Sequence, residues 1–267
     1  MGGKVVEKIR CNPMILAGKS IFIRCCVMSG FLLSVWEVFT LISGIPSFIL
    51  PSPSQIFSAL THTYSLLIFH SLVTFSEIVI GLVLGCLIGV LLALNMLLFQ
   101  FFRYWLLPVV LFSQAIPVFA IAPILVLWLG YGLMSKVMMS AIIIFFPILM
   151  TTFDGLRYTS PDYLNLAKTM GANNWQILLR IRLPAALPSF ASGLRVAVVI
   201  APIGAVIGEW VGASAGLGYY MLHSNARMQT ADMFAALFIL ATFSILLYYL
   251  TDFVLKRFVY WTTESTK

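Results

Sequence analysis

From Ser71 to Leu98 the chain runs through 28 residues with one charged side chain, Glu77. A helix needs roughly 20 apolar residues to cross the hydrocarbon core of a bilayer. Similar runs recur along the sequence, and 61% of all residues are hydrophobic while only 9% are charged. Soluble domains carry about 25% charged residues, so this mixture cannot supply a water-facing surface and describes an integral membrane protein. Backbone polar groups in lipid must be paired internally. The runs lack the two-residue alternation of a barrel strand, which leaves helices as the spanning elements.

Six spans are expected, at about 25–43, 71–98, 106–129, 133–153, 187–211 and 233–255. The third is interrupted by Pro108, Pro117 and Pro123, and the fifth contains Pro202. Of the 16 lysines and arginines, 14 fall before the first span, between the second and third, between the fourth and fifth (with Arg195 just inside the fifth), or after the sixth; Lys136 and Arg227 fall on the other side. This bias places both termini in the cytoplasm. The net charge of +7 is then a topology signal, and no nucleic-acid partner is expected. The domain plan is a cytoplasmic segment 1–24, a transmembrane domain 25–255 and a cytoplasmic tail 256–267. No small-x-small site follows the first apolar stretch before Pro46, so that stretch reads as an uncleaved anchor. In the outer loop, Pro51 and Pro53 forbid a regular helix, and Ser54 is expected to cap a short one over 55–63.

Gly81, Gly85, Gly89 and Ala93 recur every four residues, on one helical face where a second helix can come close. Ordinary close packing and a seam in a moving bundle both fit. Gln114, Pro117 and Pro202 are candidates for lining a translocation path, because a proline frees a carbonyl one turn earlier; a merely bent helix fits as well. Acids inside a membrane call for an explanation, and Glu37, Glu77 and Glu209 stand in spans. Glu209 precedes the glycine-rich stretch 212–218 and could face a path, pair with Arg227, or reach interfacial water. Trp36, Trp105, Trp128, Trp210 and Trp261 lie near span ends, where indoles anchor at the interface. Cys11, Cys25, Cys26 and Cys86 have no metal-ligand spacing and read as apolar fillers. His62, His70 and His223 fall on the outer side, and there is no HExxH, GxxxxGK[ST] or GxSxG pattern. Neither a catalytic centre, a metal site nor a cofactor is expected in this chain. Uphill transport would need an ion gradient, acting through Glu77 or Glu209, or a separate motor.

Between the fourth and fifth spans lies a polar stretch with helical pattern, about 160–184. Ser160-Pro161 is a helix start, leading into a short helix 162–170. Gly171 permits a reversal. Asn173 or Asn174 can cap a second helix ending at Ile181, and Pro184 marks entry to the next span. Small residues at Ala167, Gly171 and Ala172 allow close approach by another protein; a hairpin lying on the membrane surface is the alternative.

This stretch resembles the EAA loop of permease subunits in binding-protein-dependent ABC importers. Asn165-Leu166-Ala167 stands at the Glu-Ala-Ala positions, Gly171 at the glycine, and Ile181-Arg182-Leu183-Pro184 at the apolar-x-Leu-Pro close. Asn165 replaces the usual glutamate and Leu166 the first alanine, so the resemblance implies docking by shape and not through that charge. Trp36-Glu37, Leu50-Pro51-Ser52-Pro53, Ala115-Ile116-Pro117 with Ala122-Pro123, Ser135-Lys136, the run 184–188 and Gly216-Leu217-Gly218 resemble the nitrate/sulfonate/taurine branch. The stretch 208–230 is most similar to the subgroup for thiamine-precursor (hydroxymethylpyrimidine) uptake. The resemblance implies an all-α, six-helix type I importer permease fold in the bacterial inner membrane. It implies a coupling hairpin that uses Asn165, Leu166, Ala167, Gly171, Ala172, Leu183 and Pro184. The implied partners are a second permease copy, ABC ATPase subunits that bind ATP and magnesium, a periplasmic or lipid-anchored solute-binding protein, and membrane lipid.

Overall fold

The computed structural model describes residues 13–261; Lys4, Lys8, Arg10 and Lys267, which entered the charge argument, lie outside the described residues. Every regular element described is a helix: α1 Pro13–Ser43, α2 Pro53–His62, α3 Tyr64–Leu98, α4 Gln100–Ala115, α5 Val118–Leu129, α6 Leu133–Arg157, α7 Pro161–Thr169, α8 Asn174–Ile177, a π-helical turn Leu178–Arg182, α9 Leu183–Gly212, α10 Leu217–Ala226 and α11 Thr230–Phe258.

Four helical segments among the described residues are long and apolar enough to cross a membrane: α3, α6, the continuous run Asn174–Gly212, and α11. A fifth is obtained if α4 and α5 count as one span bent by 103°, and α1 adds the shorter apolar stretch Val27–Ser43. The bend replaces the single third span expected from sequence. Pro117 has no N–H to continue α4, and Ile116 before it is extended at φ −80°, ψ 122°. Pro108, Pro123 and Pro202 remain inside α4, α5 and α9.

The bundle is organised around α6, which packs along α3 and α9. Ile78, Ile144, Ile148, Ala197, Ala201 and Ala205 form the buried seam where the three meet. Glycines set the spacing. A Cβ at Gly81 would lie 2.5 Å from Ser140 Cβ, one at Gly85 2.7 Å from Ile144 Cγ2, and one at Gly204 2.7 Å from Ser140 Cα. The four-residue glycine repeat is therefore used for close helix packing. Replacing Gly85 with valine is expected to cost about 1–3 kcal/mol, since α6 would have to move away. A lowered thermal transition in detergent checks this.

Glu37 acts locally. Its carboxylate accepts from the backbone N–H and the hydroxyl of Ser54, at 3.0 and 2.8 Å, joining α1 to the first turn of α2. The cap of α2 is accordingly Ser52 and not Ser54: Pro53 fixes the first helical position, and Ser52 and Gln55 form a reciprocal capping box.

Candidate functional site

The hairpin between α6 and α9 is built by local chemistry. Pro161 opens α7, while Ser160 makes no side-chain cap bond. At the other end Ala172 N–H donates to Ala167 C=O and Gly171 N–H to Lys168 C=O, each at 3.0 Å, a Schellman closure that needs a left-handed residue. Gly171 supplies it at φ +81°. Asn173 and Gln176 cap α8 reciprocally. The second helix does not stop at Ile181 as expected. It continues through the π-helical turn into α9, with Leu183 N–H bonded to Leu178 C=O five residues back. That wider turn places Pro184 in the first turn of α9, where a missing donor does no harm.

The hairpin is rooted and exposed at once. Leu178 is buried with Ala93, Met96, Leu149, Phe153 and Leu156 of α3 and α6, and Ala167 and Ile177 are buried beside it. Above this root Tyr163, Leu166, Met170, Trp175 and Leu179 face outward, Met170 at 79% and Trp175 at 63% exposure. Asn165 and Gly171 are exposed, and Ala172, Leu183 and Pro184 are half-buried. Large apolar side chains on a charged hairpin, next to Lys168 and Arg180, form the kind of patch that marks a protein interface.

A second constellation is buried at the other end of the bundle. Glu77 is 0% exposed and Glu209 1%. Lys136 Nζ lies 2.9 Å from Glu77 Oε1, and Glu209 lies within electrostatic reach of Glu77. The Thr74 hydroxyl donates to Glu209 Oε1 at 2.6 Å, and Gly218 and Tyr219 N–H donate to Oε2. Glu209 thus caps the N-terminus of α10, where a carboxylate complements the helix dipole. It neither reaches interfacial water nor pairs with Arg227, because these nearer donors occupy both its oxygens. Gly216 stands at φ +116°, and a Cβ there would overlap the Glu209 carboxylate.

Of the path candidates, Gln114 and Pro117 are exposed at the α4–α5 bend. Pro202 lines an apolar groove of about 790 Å³ with Val206, Trp210, Met221, Leu237 and Leu240. Sequence reasoning placed His70 on the outer side without a role, did not single out Thr74, and counted Lys136 only as an outer-side charge. The nearest acid in sequence is Asp154, 18 residues on, so nothing local signals that Lys136 is buried. Its partner Glu77 lies 59 residues away.

Residues 81–262 match the family described as the binding-protein-dependent transport system inner membrane component. The chain is 51% identical over 231 residues to a chain of Haemophilus influenzae described as a probable ABC transporter permease protein, covering 86% of this chain and 94% of that one. It is 42% identical over 216 residues to a formylaminopyrimidine transport permease protein of Halalkalibacterium halodurans, covering 80% and 86%. Permeases described for aliphatic sulfonates and taurine are more distant relatives, in keeping with the branch expected from sequence. The MetNI methionine ABC transporter, solved in inward-facing conformations, has the same fold at a TM-score of 0.53 and 20% identity, covering 78% of this chain and 98% of that one. With its apolar helical bundle and the match over most of its length, the chain belongs to the binding-protein-dependent transport family and is an ABC transporter permease, a transport subunit and not an enzyme.

Proposed function

We propose that this permease imports a pyrimidine precursor of thiamine, as one of two copies that pair around a central path, each crossing the inner membrane six times with both ends in the cytoplasm. The observation that carries the transport mechanism is the exposed apolar hairpin of α7 and α8, rooted in the core of α3 and α6. In this reading a separate ABC ATPase, holding ATP and magnesium, receives the hairpin through Leu166, Met170 and Trp175, with Asn165, Ala167, Gly171 and Ala172 shaping the contact and Leu183 and Pro184 carrying it into α9. Closure of two ATPases draws the hairpins together and switches the bundle between two rigid arrangements. A solute-binding protein delivers its cargo at the α10 end, and Gln114, Pro117 and Pro202 border the path. Support for the solute is the 42% identity to the formylaminopyrimidine permease.

Proteoliposomes holding the permease with an ABC ATPase and a solute-binding protein from the same genome test this. Labelled formylaminopyrimidine or hydroxymethylpyrimidine is expected to accumulate only with ATP, and excess taurine, sulfonate or nitrate should not compete. Accumulation of one of those anions instead would replace the solute. Uptake that needs no ATPase and collapses with an ionophore would restore an ion-coupled mechanism through Glu77 or Glu209, which the family membership does not favour.

A further inference from the structure

We propose that His70 is a positioning residue for α10, and that it holds this helix only while its imidazole is unprotonated. The inference rests on the reading above that α10 lies at the outer face. The first N–H groups of a helix have no partner within it. At α10 these are satisfied by side chains from two other helices. Gly216 N–H donates to His70 Nδ1 at 3.0 Å, Leu217 N–H to Thr74 Oγ1 at 2.7 Å, and Gly218 and Tyr219 N–H to Glu209 Oε2. The helix start is thus fastened to α3 twice and to α9 once, with Gly216 pressed on the Glu209 carboxylate.

An Nδ1 that accepts from a backbone N–H must carry its lone pair, so His70 is the neutral tautomer with its proton on Nε2. The ring is fixed by Phe69, Tyr219 and Tyr220, with centroids 5.3, 6.1 and 5.2 Å away. A threonine hydroxyl does not titrate, and a glutamate that takes up a proton on Oε1 still offers Oε2 as an acceptor to the Gly218 and Tyr219 N–H groups. His70 is the one fastening that acid converts from acceptor to donor, which would set N–H against N–H at Gly216. The titratable groups around it are Glu77 on α3 with Lys136 of α6 behind it, Glu209 on α9, and Tyr219, Tyr220 and His223 on α10; His62 closes α2 and Asp232 opens α11 at the same end. Loss of one buried hydrogen bond shifts the balance between held and released α10 about fivefold.

The test uses the full chain in lipid nanodiscs, with its native cysteines replaced by alanine and a spin label at Leu222→Cys, an exposed position on α10. On acidification from about pH 7.5 to about 4.5, past the ordinary imidazole range because acid must also break the Gly216 hydrogen bond, the mobile fraction of the label is expected to rise about fivefold relative to the immobile one, reversibly. H70N places an amide oxygen where Nδ1 stood, keeps the acceptor and cannot titrate. Its label should stay immobile at both pH values, and that of H70A mobile at both. H223N should keep the wild-type response. A wild-type label indifferent to pH, a response surviving in H70N, or one abolished by H223N would overturn the proposal. So would nitrogen-15 spectra of the wild type that place the His70 proton on Nδ1 at neutral pH, a measurement that stands even where H70N fails to fold. None of these readouts needs an ATPase or a solute, so they fail or succeed independently of the importer reading.

Discussion

Replacing Lys136 with methionine is expected to cost about 3–5 kcal/mol, a large part of the stability of a membrane domain. The reason is the company it leaves behind. Glu77 is completely enclosed, has one bonded oxygen, and neighbours a second carboxyl at Glu209. Taking away the ammonium strands that charge, whereas removing both charges together removes most of the penalty. The double variant K136M/E77Q should therefore recover more than half of the loss, although neither change alone is benign. Methionine is close to lysine in volume and leaves the contact with Gly208 of α9 undisturbed. Unfolding by denaturing detergent, or the yield of folded protein after heating, measures all three proteins. A K136M variant as stable as the wild type would mean that the glycine packing of α3 and α9 on α6 holds the joint without the ion pair.

Gly171→Val is expected to lower solute uptake at least about tenfold while leaving insertion and thermal stability nearly unchanged. At φ +81° a β-branched residue is strained by about 1–2 kcal/mol, whatever the space around it. The space is open, with nothing within 4 Å of a Cβ at that position, so strain and not collision is the perturbation. The Schellman bonds at Gly171 and Ala172 would open, and α7 would lose its fixed angle to α8. Because Leu178 and Ile177 remain buried in the bundle, the transmembrane domain keeps its fold and only the exposed patch of Leu166, Met170 and Trp175 is displaced. ATPase activity in the reconstituted complex should then cease to respond to solute-loaded binding protein. Full uptake in this variant would separate the hairpin from energy coupling.

The spanning helices were legible because the period and length of an apolar run are local properties. So was the hairpin: a proline start, a glycine reversal and an asparagine cap lie within 15 residues. Where local chemistry had two solutions, sequence reasoning chose wrongly or left the choice open. Ser52 and Ser54 both suit a cap, and only the reach of Glu37 from α1 assigned Ser54 elsewhere. Ile181 reads as the end of the second hairpin helix, yet a π-helical turn carries it on into α9 with Pro184 in the first turn. The third apolar run has three prolines, and only Pro117 turns the chain, because it coincides with an extended residue before it.

What the sequence by itself determined is the class of molecule and its family: an apolar chain with helix-length runs, a one-sided charge bias and a recognisable loop spacing. Only the tertiary structure decided what the ionisable residues inside it do. Glu77, Lys136, Glu209, Thr74 and His70 come from three helices and meet at one end of the bundle. Their pairing depends on the distance to which glycines let α3 and α9 approach α6. That distance is a sum of contacts across the whole bundle, and no window of neighbouring residues encodes it.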